Sequence, residues 1–120
     1  MEQIRISDAE LKLMEYIWQT PGVRAAQLVE LAREDCGWTK NTTYTLLKRM
    51  VDKGVIARED PGFACTPLID RELVCSEETN TLIDRLYEGS RKMFLASFLR
   101  REKLTKDEID EIRRIIDESK

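Results

Sequence analysis

A mostly α fold, with an N-terminal winged helix-turn-helix (three helices plus a small β-hairpin wing) followed by a C-terminal helical dimerisation arm, is predicted by three observations. Helix start signals and apolar residues at helical spacing recur in three segments before Gly54. A Pro-Gly reversal flanked by short strand-like runs follows at once, and from about Asp70 the chain turns helical again. Three helices and then a hairpin is the order in which the third helix enters the DNA major groove while the hairpin touches backbone beside it. The expected domains are 1–70 for the winged helix and 71–120 for the arm.

The first helix opens at "SDAELKLMEYIW", where Ser7 and Glu10 form a capping box that satisfies orphaned amides at the helix start. Leu11, Met14, Ile17 and Trp18 follow at helical spacing, and "TPG" from Thr20 to Gly22 breaks the run. "RAAQLVELAREDCG" predicts a short second helix with Leu28, Leu31 and Ala32 inward and Gly37 as its stop. The third, "WTKNTTYTLLKRMVDKG", takes Thr39 as N-cap and Gly54 as terminator. In "VIAREDPGFACTP" the Asp60-Pro61-Gly62 step supplies the backbone angles of a tight reversal. Beyond it, helices are expected over Glu72 to Glu88, over Ser90 to Lys103, and after the capping box "TKDE", Thr105 to Glu108.

Composition narrows the function. The chain has 120 residues and a net charge of −3, so a nucleic-acid signal, if there is one, must be local. It contains no histidine, which excludes His-containing metal sites and His-based catalytic triads. Cys36, Cys65 and Cys75 lack the close paired spacing of zinc sites or secreted disulfide frameworks and read as free thiols. No nucleophile–base pair or glycine-rich phosphate loop is visible, so neither an enzyme nor a cofactor is expected. With no signal peptide and no long apolar run, the expectation is a cytoplasmic protein without membrane insertion.

The charge signal is found on the third helix. At about 100° per residue, Thr43, Leu46, Leu47, Met50 and Val51 share one sector and form the core face. Asn41, Thr42, Thr45, Lys48, Arg49 and Asp52 fall on the other side, Tyr44 lies at the boundary, and Lys40 projects nearer the core from the first turn. Bases are read by short hydrogen-bonding groups that fit close in the groove, and phosphates by flexible cations at its rim. Asn41, Thr42 and Thr45 suit the floor; Lys48, Arg49 and Lys53 suit the rim, with Thr39, Lys40, Tyr44 and, on the hairpin, Arg58 completing the DNA-binding candidates. Polar residues at this spacing also describe an ordinary solvated helix face. On the arm, Leu82, Leu86, Tyr87, Phe94, Phe98, Ile109, Ile112 and Ile116 give short helices more apolar surface than they can bury against one another, so a second copy is the expected partner.

The order Trp38-Thr39, Thr42, Thr45-Leu46-Leu47, Arg49, Lys53-Gly54 and Thr66-Pro67 resembles the penicillinase repressor family, the BlaI/MecI and CopY group of bacterial repressors. The likeness runs from "ISDAELKLMEYIW" through "LIDRLYEGS" to "LTKDEIDEIRRII" and is nearer the BlaI/MecI branch. It implies a homodimer that represses transcription by occupying palindromic double-stranded operator DNA ahead of resistance or transport genes. Asn41 stands where many relatives carry lysine, and the wing tip carries Glu59 and Asp60 with Arg58 its one cation, so strong phosphate contact from the wing is not expected. The resemblance further implies release by a sensor-linked protease that cuts the arm; the corresponding bond is Ser97-Phe98, in place of the family's Asn-Phe. The Cys-x-Cys pairs of the copper branch are missing, since no cysteine follows Cys75. The rival reading is a winged helix used only for protein contacts, as an adaptor or antirepressor, which the acidic hairpin tip favours and the basic stripe opposes.

Overall fold

The computed structural model describes residues 5–119. Among them the order is α1 (Asp8–Gln19), β1 (Val23–Arg24), α2 (Ala25–Cys36), α3 (Lys40–Lys53), β2 (Ile56–Glu59), β3 (Ala64–Pro67), α4 (Arg71–Leu86), α5 (Arg91–Arg101) and α6 (Lys106–Glu118). The fold class is the predicted one, mostly helical with a winged helix first and further helices after it.

Local chemistry sets the helix ends. The Ser7 hydroxyl accepts the Glu10 amide at 3.2 Å, and Glu10 Oε1 accepts the Ser7 amide at 2.8 Å, so the α1 capping box forms. Thr39 caps α3 by accepting the Thr42 amide at 3.2 Å. Gly54 closes α3 at φ 79, a left-handed position that a side chain would strain, and its amide bonds back to Met50 and Val51 carbonyls. The later helices deviate slightly from expectation: α4 ends at Leu86, because Glu88 and Gly89 both take positive φ, and Ser90 caps α5.

Leu13, Met14 and Ile17 of α1 pack against Leu28 and Ala32 of α2, against Leu46, Leu47 and Met50 of α3, and against Val55, Ile56, Phe63 and Cys65 of the wing. Leu31 corrects the sequence reading: it is 37% exposed, on the flank of a stripe in which only Ala25, Leu28 and Ala32 are fully turned in. The sheet order is β1-β3-β2, all antiparallel. Its hairpin was predicted; its third strand, β1, was not, since two residues carry no alternation to read and pair with Ala64 and Cys65 only through the tertiary fold. Trp18 donates its indole N–H to the Ile69 carbonyl at 3.0 Å, tying α1 to the segment that leads into α4.

The contacts form two compact units, Met1–Glu77 and Glu78–Lys120, divided inside α4. In the second unit Ile83 is buried, whereas Leu86, Met93, Leu95, Phe98, Ile115 and Ile116 are exposed. Among the described residues no helix is long and apolar enough to cross a membrane.

Candidate nucleic-acid interface

Helix α3 has two faces because its apolar residues recur at three- and four-residue steps. Thr43, Leu46, Leu47 and Met50 are buried, and Val51 is half-buried against them. Asn41, Thr42, Thr45, Lys48, Arg49 and Asp52 are all exposed, so the side that projection assigned to solvent is open. Thr39 and Lys40 are also exposed at the start of the helix. The Thr39 hydroxyl lies 3.0 Å from that of Thr42, which orders the first turn's polar edge.

The cations differ in what holds them. Among the described residues Lys48 and Arg49 have no ion pair or hydrogen bond within the protein, and their charges are free for an outside anion. Lys40 has, among the described residues, only the Tyr44 ring, with its ammonium 5.9 Å from the centroid. Lys53, expected at the groove rim, is used otherwise: its ammonium bonds Glu10 Oε1 at 2.6 Å and the Arg5 carbonyl at 2.9 Å. The physical reason is burial at the other end of the pair, where the Glu10 side chain is 1% exposed and a carboxylate there needs a cation. Burial alone would raise the Glu10 pKa; hydrogen bonds from Lys53 and Ser7, with the ammonium charge, bring it below the ordinary carboxylate value. No sequence signal could have shown this, because 43 residues separate the partners.

On the wing, Arg58 stacks its guanidinium 4.0 Å from the Phe63 centroid and bonds Asp60 at 3.2 Å. Phe63 is in turn met edge-on by Tyr44 at 5.9 Å, so the half-buried Tyr44 braces the wing. The turn is compact: Gly62 has φ 91, and a Cβ there would lie 3.2 Å from the Arg24 side chain. That places Arg24, a cation outside the sequence-based set, beside the wing turn.

The arm's candidate residues divide similarly. Tyr87 and Phe94 pack edge-on at 5.4 Å, and Phe94 stacks on Phe98 at 6.2 Å, so these aromatics partly satisfy one another. Leu82, Leu86, Phe98, Ile109 and Ile116 remain exposed, and Ile112 is half-buried. Leu99, Leu104, Ile109, Ile112 and Ile116 line a recess of about 560 Å³. Met93, Leu95 and Ile115, which stand outside the candidate seam, are each exposed by about half. Ser97 and Phe98 lie inside α5, and the Ser97 carbonyl accepts a bond from Arg101 Nε at 3.3 Å.

Comparison with known proteins gives the family. The penicillinase repressor of Bacillus licheniformis is 29% identical over 118 residues, covering 97% of this chain and 92% of its own. The methicillin resistance regulatory protein MecI of Staphylococcus aureus strain N315 is 28% identical over 113 residues, covering 92% of each chain. The solution structure of the DNA-binding domain of the repressor BlaI matches 59% of this chain and 90% of its own, at a TM-score of 0.54 and 32% identity. The solution structure of monomeric Bacillus licheniformis BlaI in complex with the blaP half-operator matches 60% of this chain and 92% of its own, at a TM-score of 0.51 and 32% identity. The profile of the penicillinase repressor family matches residues 6–118. The chain therefore belongs to the penicillinase repressor (BlaI/MecI) family, whose members are DNA-binding transcription repressors and not enzymes.

Proposed function

We propose that this chain is a cytoplasmic homodimer that binds palindromic operator DNA and represses β-lactam resistance genes. The observation that carries the reading is the open face of α3, with Asn41, Thr42 and Thr45 exposed near its start and the unpaired cations Lys48 and Arg49 further along. A relative solved on a half-operator, similar over this same region, supports it. Thr39, Lys40, Asn41, Thr42, Tyr44, Thr45, Lys48, Arg49 and Arg58 make up the proposed interface, Lys53 being bound to Glu10 instead. Electrophoretic mobility shift with an operator duplex and a scrambled duplex tests it: preference for the operator supports the reading, and equal affinity at physiological salt refutes it.

Dimerisation supplies the geometry, since two recognition helices must present themselves about 34–36 Å apart to meet successive major grooves. The exposed Leu82, Leu86, Phe98, Ile109 and Ile116, with Tyr87, Phe94 and Ile112, are the proposed seam. Release follows from cutting the arm at Ser97-Phe98, which would detach α6 and reduce a two-site clamp to weakly bound single domains. Because that bond lies within a helix, the protease must first open α5 locally. Mass spectrometry of the protein from cells given the inducing antibiotic decides this step: a fragment ending at Ser97 is expected, and derepression with full-length chain alone would refute it. The adaptor reading draws on the Arg58–Asp60 pair, which leaves the wing tip acidic; it predicts no DNA shift at all.

A further inference from the structure

We propose that the recess between α3 and the wing is a single-phosphate clamp, in which Lys48 and Arg58 take the same backbone phosphate and Phe63 is the platform that holds Arg58 in place. This rests on the DNA reading and deepens it, because it states which two cations act as one.

The recess, about 290 Å³, is lined by Lys48, Val51 and Asp52 of α3, Arg58 of β2, and Phe63. Two separate elements thus bring one cation each to the same place. Phe63 is 6% exposed, with φ 50, and Tyr44 meets its ring from α3, so the platform is fixed on both sides. The Arg58 guanidinium carbon sits over that ring, 4.0 Å from its centroid, a cation–π contact that holds the group at the edge of the recess. Asp60 takes Nε at 3.2 Å, and the Nη groups are left to donate. That pair is solvent-exposed on both sides and weak enough to coexist with, or yield to, an incoming phosphate. Lys48 has no internal partner among the described residues.

Position argues for backbone over base: Lys48 lies seven residues past Asn41, about 10 Å further along the helix axis from the groups suited to base edges. The apolar walls, Val51 and Phe63, offer a base edge no hydrogen bond.

Salt dependence distinguishes one shared phosphate from two. The experiment measures the affinity of the full chain for a mixed-sequence duplex of about 30 base pairs across a range of salt, for wild type, Lys48→Ala, Arg58→Ala and the double variant. A shared phosphate stays partly neutralised by either cation, so each single variant loses less than about half a unit of slope and the double loses about 0.9. Losses of about 0.9 in each single and about 1.8 in the double would overturn the clamp. Phe63→Leu keeps an apolar residue in the core and is expected to weaken binding in the wild-type background but not in Arg58→Ala; an equal effect in both would make Phe63 merely structural. Asp52→Asn is expected to tighten binding about two- to fivefold, and weakening would place the phosphate elsewhere. A failed operator reading appears separately, as wild type with no preference between operator and mixed sequence, and leaves these slopes as stated. Absence of any duplex binding would overturn both.

Discussion

Replacing Lys53 with methionine keeps most of the unbranched apolar stem and removes the charged end, leaving Glu10 as a buried carboxylate without a cation. The Glu10 side chain is 1% exposed; among the described residues its Oε2 has no hydrogen-bond partner, and Oε1 would keep only the Ser7 amide. Breaking a buried pair on one side costs about 3–5 kcal/mol. The lower end, about 3 kcal/mol, applies because the Lys53 side chain is 34% exposed and its loss admits water. The sign with pH follows from the direction of each pKa. In the wild type Glu10 titrates below the reference 4.5, so its contribution is present above that value and lost as pH falls through the folded pKa. In Lys53→Met burial without the cation raises the pKa, so the stability is present at low pH and lost as pH rises. The penalty should therefore shrink between pH 7 and about pH 4. Urea unfolding followed by Trp18 and Trp38 fluorescence reads it, since both indoles lie in the Met1–Glu77 unit. A loss under about 1 kcal/mol at pH 7, or one independent of pH, would refute the argument.

Three further outcomes follow from the same geometry. Thr45→Ala should weaken operator binding by about 1 kcal/mol, roughly fivefold, and leave binding to a scrambled duplex unchanged in a fluorescence anisotropy titration. Leu86→Asp and Ile112→Asp each place an unpaired carboxylate in the proposed seam, and sedimentation should show monomer at concentrations where the wild type is dimeric; a full dimer in both would misplace the seam. Asp35 accepts the Tyr16 hydroxyl and pushes that phenol up to about 12, so the bond's contribution is present below the ordinary tyrosine pKa and lost as pH rises through about 12. The alkaline absorbance titration should accordingly lose a phenolate step at about pH 12 in Tyr16→Phe.

What the sequence revealed was local chemistry. The boxes at Ser7/Glu10 and Thr105/Glu108 and the Thr39 cap involve residues three apart, and all form. The two-faced character of α3 was likewise readable, since periodicity alone divides Thr43, Leu46, Leu47 and Met50 from Thr45, Lys48 and Arg49. What escaped depends on chain segments meeting across the fold. Strand β1 exists because β3 is there to pair with it. Lys53 resembles any rim cation until Glu10 is found beneath it, and Arg58 is held by Asp60 and by Phe63 on the far side of the turn. Leu31 carried an apolar signature with no core left to receive it.

The central claim, that α3 reads DNA as one of a pair, is tested most directly by selecting binding sites for the full chain from random duplex DNA at physiological salt. The expected result is enrichment of a palindrome whose half-sites are centred about one helical turn apart, or a whole multiple of it. Enrichment of an isolated half-site would contradict the dimeric clamp, and no enrichment at all would contradict sequence reading by α3.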